Sequence, residues 1–294
     1  MEAYLLAIAI TMAIYMLLAL SLDFQYGFTG LINFGQVGFF AVGAYAAAIG
    51  SVRMGWPAPV GLALAVLLPA LLAWPIGRIA LRLRDDYLAI VTLGFGEIVR
   101  LVIVSEKALT QGGQGIPGVP RLFSLGGTPS WNDVALLVLL VAVCAVVVGL
   151  LHQVLRSPYG RLIQAIRDDE TALLALGKNP ARYKTQVLMA GGAIAGLAGA
   201  FYAHYISFVT PDQFTPLVTF YVWMAIIMGG IGRLRGAVLG AVLLVAFLEG
   251  SRVLRDVLPG VSEVAMSSIR LAAVGLGLIL FMRWRPQGLA GGRR

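Results

Sequence analysis

Charge is scarce in this 294-residue chain: 12% of its residues are charged and 59% are hydrophobic, against roughly 25% and 45–50% in ordinary soluble domains. That balance excludes a soluble globular protein. There is one cysteine, Cys144, inside an apolar run, so an internal disulfide is excluded and the thiol reads as a small hydrophobe. The two histidines, His152 and His204, are far apart in sequence, and no His, Cys, Asp or Glu grouping has metal-ligand spacing. A nucleotide-binding loop is absent as well: Gly177 and Lys178 are followed by Asn179, and position 172 is Ala where the phosphate-binding pattern needs Gly. The sequence thus offers no catalytic residues and no bound cofactor or metal of its own.

What the chain has in abundance is uninterrupted apolar sequence. Runs without Asp, Glu, Lys or Arg cover 3–22, 24–52, 54–77, 134–155, 185–211 and 213–232, each reaching the roughly 20 residues that a helix needs to cross a bilayer. Three more, 87–105, 236–251 and 264–282, qualify if Glu97, Arg100, Glu249 and Arg270 are tolerated. The runs are apolar on every face, which excludes the alternating pattern of a membrane β-barrel. The expected fold is an all-α polytopic membrane protein with about 8–10 transmembrane helices, nine spans being the central count. Gly27, Gly30, Asn33, Gly35 and Gln36 fall within 24–52, a composition that suits either a plain span or a broken or re-entrant helix.

The excess of 22 Lys plus Arg over 14 Asp plus Glu would suggest nucleic acid in a soluble chain. Here its distribution explains it. With nine spans placed, fifteen basic residues fall on one side and five on the other. By the positive-inside rule the first side is cytoplasmic, with the C-terminus inside and the N-terminus outside. The lipid bilayer, not nucleic acid, is the expected environment.

One basic loop exceeds a connector in length. Residues 157–184 read SPYGRLIQAIRDDETALLALGKNPARYK, and 156–184 is expected to form the cytoplasmic segment of a single transmembrane domain spanning 1–294. Ser157 followed by Pro158 signals a helix start, and Leu162, Ile163 and Ile166 supply an apolar stripe. Asp168 and Asp169 can cap a second short helix, 170–176, which Gly177 and Pro180 stop. Two readings fit: an amphipathic connector resting on headgroups, or a docking element for a cytoplasmic partner.

At this loop the sequence resembles the membrane permeases of branched-chain amino acid ABC importers, the LivM type. The matching stretches are 27–45 (GFTGLINFGQVGFFAVGAY), 87–120 (YLAIVTLGFGEIVRLVIVSEKALTQGGQGIPGVP), 160–203 and 228–241 (MGGIGRLRGAVLGA), and together they extend over nearly the whole chain. The resemblance implies that the segment matching 160–178 couples the permease to a cytoplasmic ATPase, with Arg167, Asp168, Asp169, Glu170, Ala172 and Gly177 at the matching positions. It also implies two cytoplasmic ABC ATPase subunits that hydrolyse ATP, a second homologous permease forming a heterodimer, a periplasmic or extracytoplasmic substrate-binding protein, and a bacterial plasma (inner) membrane location. The cargo implied is leucine, isoleucine, valine or a related small amino acid, with urea or short amides as the alternative.

Within the membrane, Thr29, Asn33, Gln36 and Thr92 are candidates to face the pathway, or equally to bond helix to helix. Glu97, with Arg100 one turn on, lies near the middle of its span and is either a pathway residue or half of an internal ion pair. Gly192, Gly196 and Gly199 form small-residue stripes that let helices approach closely. An ion-coupled secondary transporter would need a relay of deep carboxylates, and Glu97 alone is a poor basis for one.

Overall fold

The computed structural model describes residues 2–80, 85–123 and 129–257, together with 272, 275–277, 279, 283 and 288–290. In chain order its helices are α1 (Glu2–Leu22), α2 (Gln36–Val52), α3 (Ala58–Ala80), α4 (Asp85–Ser105), α5 (Lys107–Thr110), α6 (Pro129–Arg156), α7 (Pro158–Asp168), α8 (Glu170–Ala175), α9 (Pro180–Ile206), α10 (Pro216–Gly229) and α11 (Leu234–Val257). A two-residue antiparallel pairing of Ile116–Pro117 with Phe208–Val209 is the β-structure among the described residues. Among the described residues, five helical stretches are long and apolar enough to cross a membrane: Glu2–Gly27, Ala58–Arg78, Tyr87–Ser105, Trp131–Arg156 and Pro180–Ile206. The chain is an all-α, multi-pass membrane protein.

The apolar runs 54–77, 87–105, 134–155, 185–211, 213–232 and 236–251 correspond to α3, α4, α6, α9, α10 and α11. Run 264–282 lies outside the continuously described residues. Run 24–52 is not one span. α1 continues into a π-helical turn, Asp23–Gly27, the chain then leaves helical geometry, and α2 starts afresh at Gln36. At 17 residues α2 is about 26 Å long, and α10 at 14 residues about 21 Å. Proline stands in the first turn of α7, α9 and α10, where its missing N–H costs nothing.

α9 is the axis of the bundle. It packs on α2 and α3 over most of its length, while α1 lies against α6, α9 and α11, and α10 against α11. Small residues make the α9 contacts possible. A Cβ on Gly196 would lie 2.0 Å from the Ala65 carbonyl oxygen and 2.4 Å from Pro69 Cγ, both on α3; one on Gly199 would lie 2.1 Å from the Phe40 carbonyl oxygen on α2. Gly192 faces Phe39 and the Pro69 carbonyl. These three glycines are spent within the chain.

Contacts also sort the loops by bundle end. The end of α3 meets the start of α9 at Gly77 and Thr185. α7 touches Gly27 and Gly232, and residues 289 and 290 donate their amides to Met228 and Gly229. Arg78, the 156–184 segment, Arg233 and the described C-terminal residues therefore share one end. At the other, Arg53 donates to the Ala108 carbonyl and His204 Nδ1 lies 2.7 Å from that of Pro120. Among the described residues, the basic 156–184 segment thus lies at the same end as Arg78 and Arg233.

Gly196→Val should lower the thermal unfolding temperature in detergent, at a cost of about 1–3 kcal/mol from overpacking. Gly149→Ala, at an α6 position with no foreign atom within 4 Å, should leave stability unchanged or raise it by up to about 1 kcal/mol.

Candidate functional site

A helix broken inside a membrane exposes amide and carbonyl groups that hydrocarbon cannot satisfy. Here side chains satisfy them. Asn33 Oδ1 accepts the Gly35 amide at 2.8 Å, Thr92 Oγ1 accepts the Phe34 amide at 3.0 Å, and Thr219 Oγ1 accepts the Val37 amide at 3.0 Å. The Trp223 indole donates to the Asn33 carbonyl at 3.1 Å and stacks on Phe34 with ring centroids 5.0 Å apart. These four side chains come from the break itself, α4 and α10.

Beneath them lies a knot of amides. Asn33 Nδ2 donates to Gln25 Oε1 at 2.8 Å and to Gln36 Oε1 at 3.2 Å; Gln25 Nε2 donates to Gln36 Oε1 at 3.1 Å. Gln36 Nε2 donates to Ser21 Oγ at 2.6 Å, and that hydroxyl donates to the Gly191 carbonyl on α9, also at 2.6 Å. All four residues are fully buried. Of the four uncharged polar candidates, Asn33, Gln36 and Thr92 are thus engaged in holding the break together. Thr29 is buried too, and its hydroxyl has no partner among the described residues.

Glu97 and Arg100 stand apart from the knot. They form an ion pair, the Arg100 Nη2 lying 2.5 Å from Glu97 Oε1 and Nε 3.0 Å from each Glu97 carboxylate oxygen. Their side chains are 37% and 25% exposed on the outer face of α4, among the exposed Ile98, Leu101 and Val102. The pair is internal to α4, yet it is open to whatever covers that face.

The 157–184 segment folds as two short helices. Ser157 Oγ accepts the Gly160 amide at 3.2 Å, and Ile163 and Ile166 are buried against the bundle. Asp169 caps α8 through Oδ1, which accepts from the Thr171 hydroxyl at 2.6 Å and from the Thr171 and Ala172 amides at 2.9 and 3.1 Å. These donors, the Thr171 hydroxyl foremost, hold the Asp169 carboxyl below its ordinary range. Glu170 pairs with Lys184 of α9 at 2.6 Å. Gly177 ends α8 at φ +70, with its amide bonded to the Leu174 carbonyl and that of Lys178 to the Leu173 carbonyl, the two bonds of a Schellman stop. Leu173 points inward, and Leu174 and Leu176 stand 57% and 76% exposed beside Ala172. Asp168 is exposed.

Arg167 joins the two regions. Its guanidinium donates to the Gly27 carbonyl at the end of the π-helical turn. It packs against Gly232 in the α10–α11 turn, where a Cβ would lie 2.9 Å from Nη1, and its charge acts on Asp23. Asp23 is wholly buried; Oδ1 accepts the Gly232 amide at 2.7 Å, and Oδ2 has no hydrogen-bond partner among the described residues. The sequence reading missed Asp23, Ser21 and Gln25. A signal was present for the first: Asp23 is the one Asp, Glu, Lys or Arg between Glu2 and Arg53, and a lone acid in so long an apolar stretch marks a special site.

Comparison with known proteins bears on the whole of this architecture. The family described as branched-chain amino acid transport system, permease component, matches residues 4–282. The chain belongs to this family. It is a transport component, not an enzyme. It is 37% identical over 304 residues to the high-affinity branched-chain amino acid transport system permease protein LivM of Salmonella typhimurium, covering 96% of this permease and 69% of that relative. The LivM protein of Escherichia coli is 36% identical with the same coverage. The permease protein LivH of Escherichia coli is 24% identical over 249 residues, covering 78% of this chain and 79% of LivH. No solved structure matches.

The Asp169 cap sets a pH dependence for α8. With the folded carboxyl below its unfolded value, the stabilisation is present above the ordinary aspartate range and is lost as pH falls through the folded value. Amide-exchange protection over 170–175, normalised for intrinsic rates, should stay flat from pH 8 to 6 and fall only in the acid range. Asp169→Ala should remove that acid-range step.

Proposed function

We propose that this chain is one of two membrane subunits of an ATP-driven importer for branched-chain or related small amino acids, and that α7 and α8 dock on separate ATPase subunits. The observation that carries this reading is the Arg167 joint. A surface helix that only rested on headgroups would not need to place its last-turn arginine on a backbone carbonyl and beside a buried carboxylate. Through Gly27 and Gly232, a tilt of α7 acts on the π-helical turn and on the α10–α11 turn together. The π-helical turn leads straight into the helix break, so docking motion reaches the membrane interior by contiguous bonded contacts.

The exposed Leu174 and Leu176 on α8 supply the apolar knobs that a partner cleft takes up. Asp168, Asp169, Glu170, Ala172 and Gly177 shape that element: two of them cap or anchor it, and Gly177 stops it. ATP binding and hydrolysis then belong to the partner chains. The basic loops gathered at this end support placing it in the cytoplasm of a bacterial inner membrane, with the N-terminus outside and the C-terminus inside.

A heterodimer is the favoured pairing, because Escherichia coli has both a LivM and a LivH protein, each a high-affinity branched-chain permease and each similar to this chain. The open Glu97–Arg100 pair favours α4 as the helix that faces the path or the second permease, since an ion pair turned to lipid is costly. Substrate would arrive on an extracytoplasmic binding protein, which carries most of the selectivity.

The test is uptake of labelled leucine by proteoliposomes holding the chain with its co-purified partners. Uptake should require ATP and survive a proton ionophore; uptake abolished by the ionophore and indifferent to ATP would overturn the proposal. Arg167→Ala should lower uptake roughly tenfold, within the range of a coupling free energy of about 1–3 kcal/mol, while the ATPase subunits still co-purify. Gly177→Val, which forces a branched residue into left-handed geometry, should raise ATP hydrolysis per leucine transported without preventing membrane insertion.

A further inference from the structure

The described surface carries a second charged feature that transport coupling does not use. Where α3 ends and α9 begins, Gly77 and Thr185 touch so closely that a Cβ on Gly77 would lie 2.7 Å from Thr185 Cγ2. Around that contact lies a cleft of about 560 Å³. Trp74 and Arg78 form its α3 wall; Asn179, Arg182 and Gln186 form its α9 wall. The spacing is helical on both sides, four residues on α3 and three then four on α9, so each set lines one face.

Depth, shape and charge agree on an occupant. Arg78 is the last residue of the apolar stretch Ala58–Arg78, and Pro180 is the first of Pro180–Ile206, which puts the cleft at headgroup level. Arg78 lies over Trp74 with Cζ 5.0 Å from the ring centroid, and a guanidinium held over a ring has further N–H groups with which to bind an anion. Arg182 supplies a second guanidinium, and Asn179 and Gln186 supply amides. Among the side chains that the structure describes, none forms a salt bridge with Arg78 or Arg182. Toward the membrane interior, Leu67, Leu71 and Trp74 continue the same α3 stripe, all well exposed, giving an acyl chain an apolar track directly beneath the two cations.

We propose that this cleft is a binding site for one anionic phospholipid, its phosphate held between Arg78 and Arg182 and an acyl chain lying along the Leu67–Leu71–Trp74 stripe. A headgroup with a net negative charge is required, since a zwitterionic one brings its own cation to two arginines. The free phosphate ion shares the headgroup chemistry but lacks the chain, so the apolar stripe distinguishes the two sources. Basic recesses between helices at the membrane surface suit such lipids on general electrostatic grounds.

The experiment is native mass spectrometry and thermal unfolding of the full-length chain in detergent, titrated with phosphatidylglycerol, phosphatidylcholine or inorganic phosphate. Wild type should retain one phosphatidylglycerol and gain thermal stability from it, and from neither of the other two. R78Q/R182Q should weaken retention by roughly fivefold for each arginine removed. R161Q/K178Q, which removes the same charge from the same end outside the cleft, should bind as wild type does. Equal stabilisation by phosphatidylcholine, reproduction of the effect by inorganic phosphate, or undiminished retention by R78Q/R182Q would each overturn the proposal. The comparison of lipids on wild type decides the matter even if the double variant does not fold.

Discussion

The structure depends on making an interrupted helix tolerable inside a bilayer. Between Gly30 and Gly35 the chain gives up the internal hydrogen bonds that normally let a backbone sit in hydrocarbon, and every neighbouring element contributes to replacing them. Thr92 comes from α4, Thr219 and Trp223 from α10, the Gly191 carbonyl from α9, and Ser21 and Gln25 from α1 and its π-helical extension. A buried network is stabilising only when its members are all satisfied. That requirement makes the break a fixed point to which four helices are tied, rather than a loose hinge.

The glycine contacts of α9 serve the same arrangement. By lying close on α2 and α3, α9 brings the Gly191 carbonyl to the Ser21 hydroxyl, and the same close approach shapes the recess between the ends of α3 and α9. Rigid packing on one side of the molecule contrasts with the other, where the joint of Arg167, Gly27, Gly232 and Asp23 links a surface helix to the transmembrane helices through a handful of polar contacts. A bundle built this way is stiffest along α9, and its surface helix is held by far fewer contacts.

Much of the architecture is legible in the sequence because hydrocarbon imposes a simple rule on helix length and composition. α3, α4, α6 and α9 follow from apolar runs, and α7 and α8 from the Ser157, Asp169 and Gly177 signals that act within one or two turns. The break was legible only as a composition rich in Gly, Asn and Gln, since whether such residues interrupt a helix depends on partners 58 to 190 positions away. For the same reason Asn33, Gln36 and Thr92 could be singled out as buried polar residues, while their role in holding the break together could not be distinguished from a pathway role. Ser21 and Gln25 carried no local signal at all; their importance is set entirely by the residues they meet.

The sequence distances in the joint govern the order in which the molecule is made. The Gly232 amide that Asp23 accepts is synthesised 209 residues after Asp23, and the guanidinium that bridges to Gly27 lies 140 residues beyond that glycine. During insertion, α1 therefore enters the membrane with a carboxylate whose eventual partners have not yet left the ribosome. A protonated carboxyl, or a position close to the polar boundary, keeps that cost bearable in the interval. Closure of the joint must wait for Gly232, and it requires that α7 and the α10–α11 turn have both arrived.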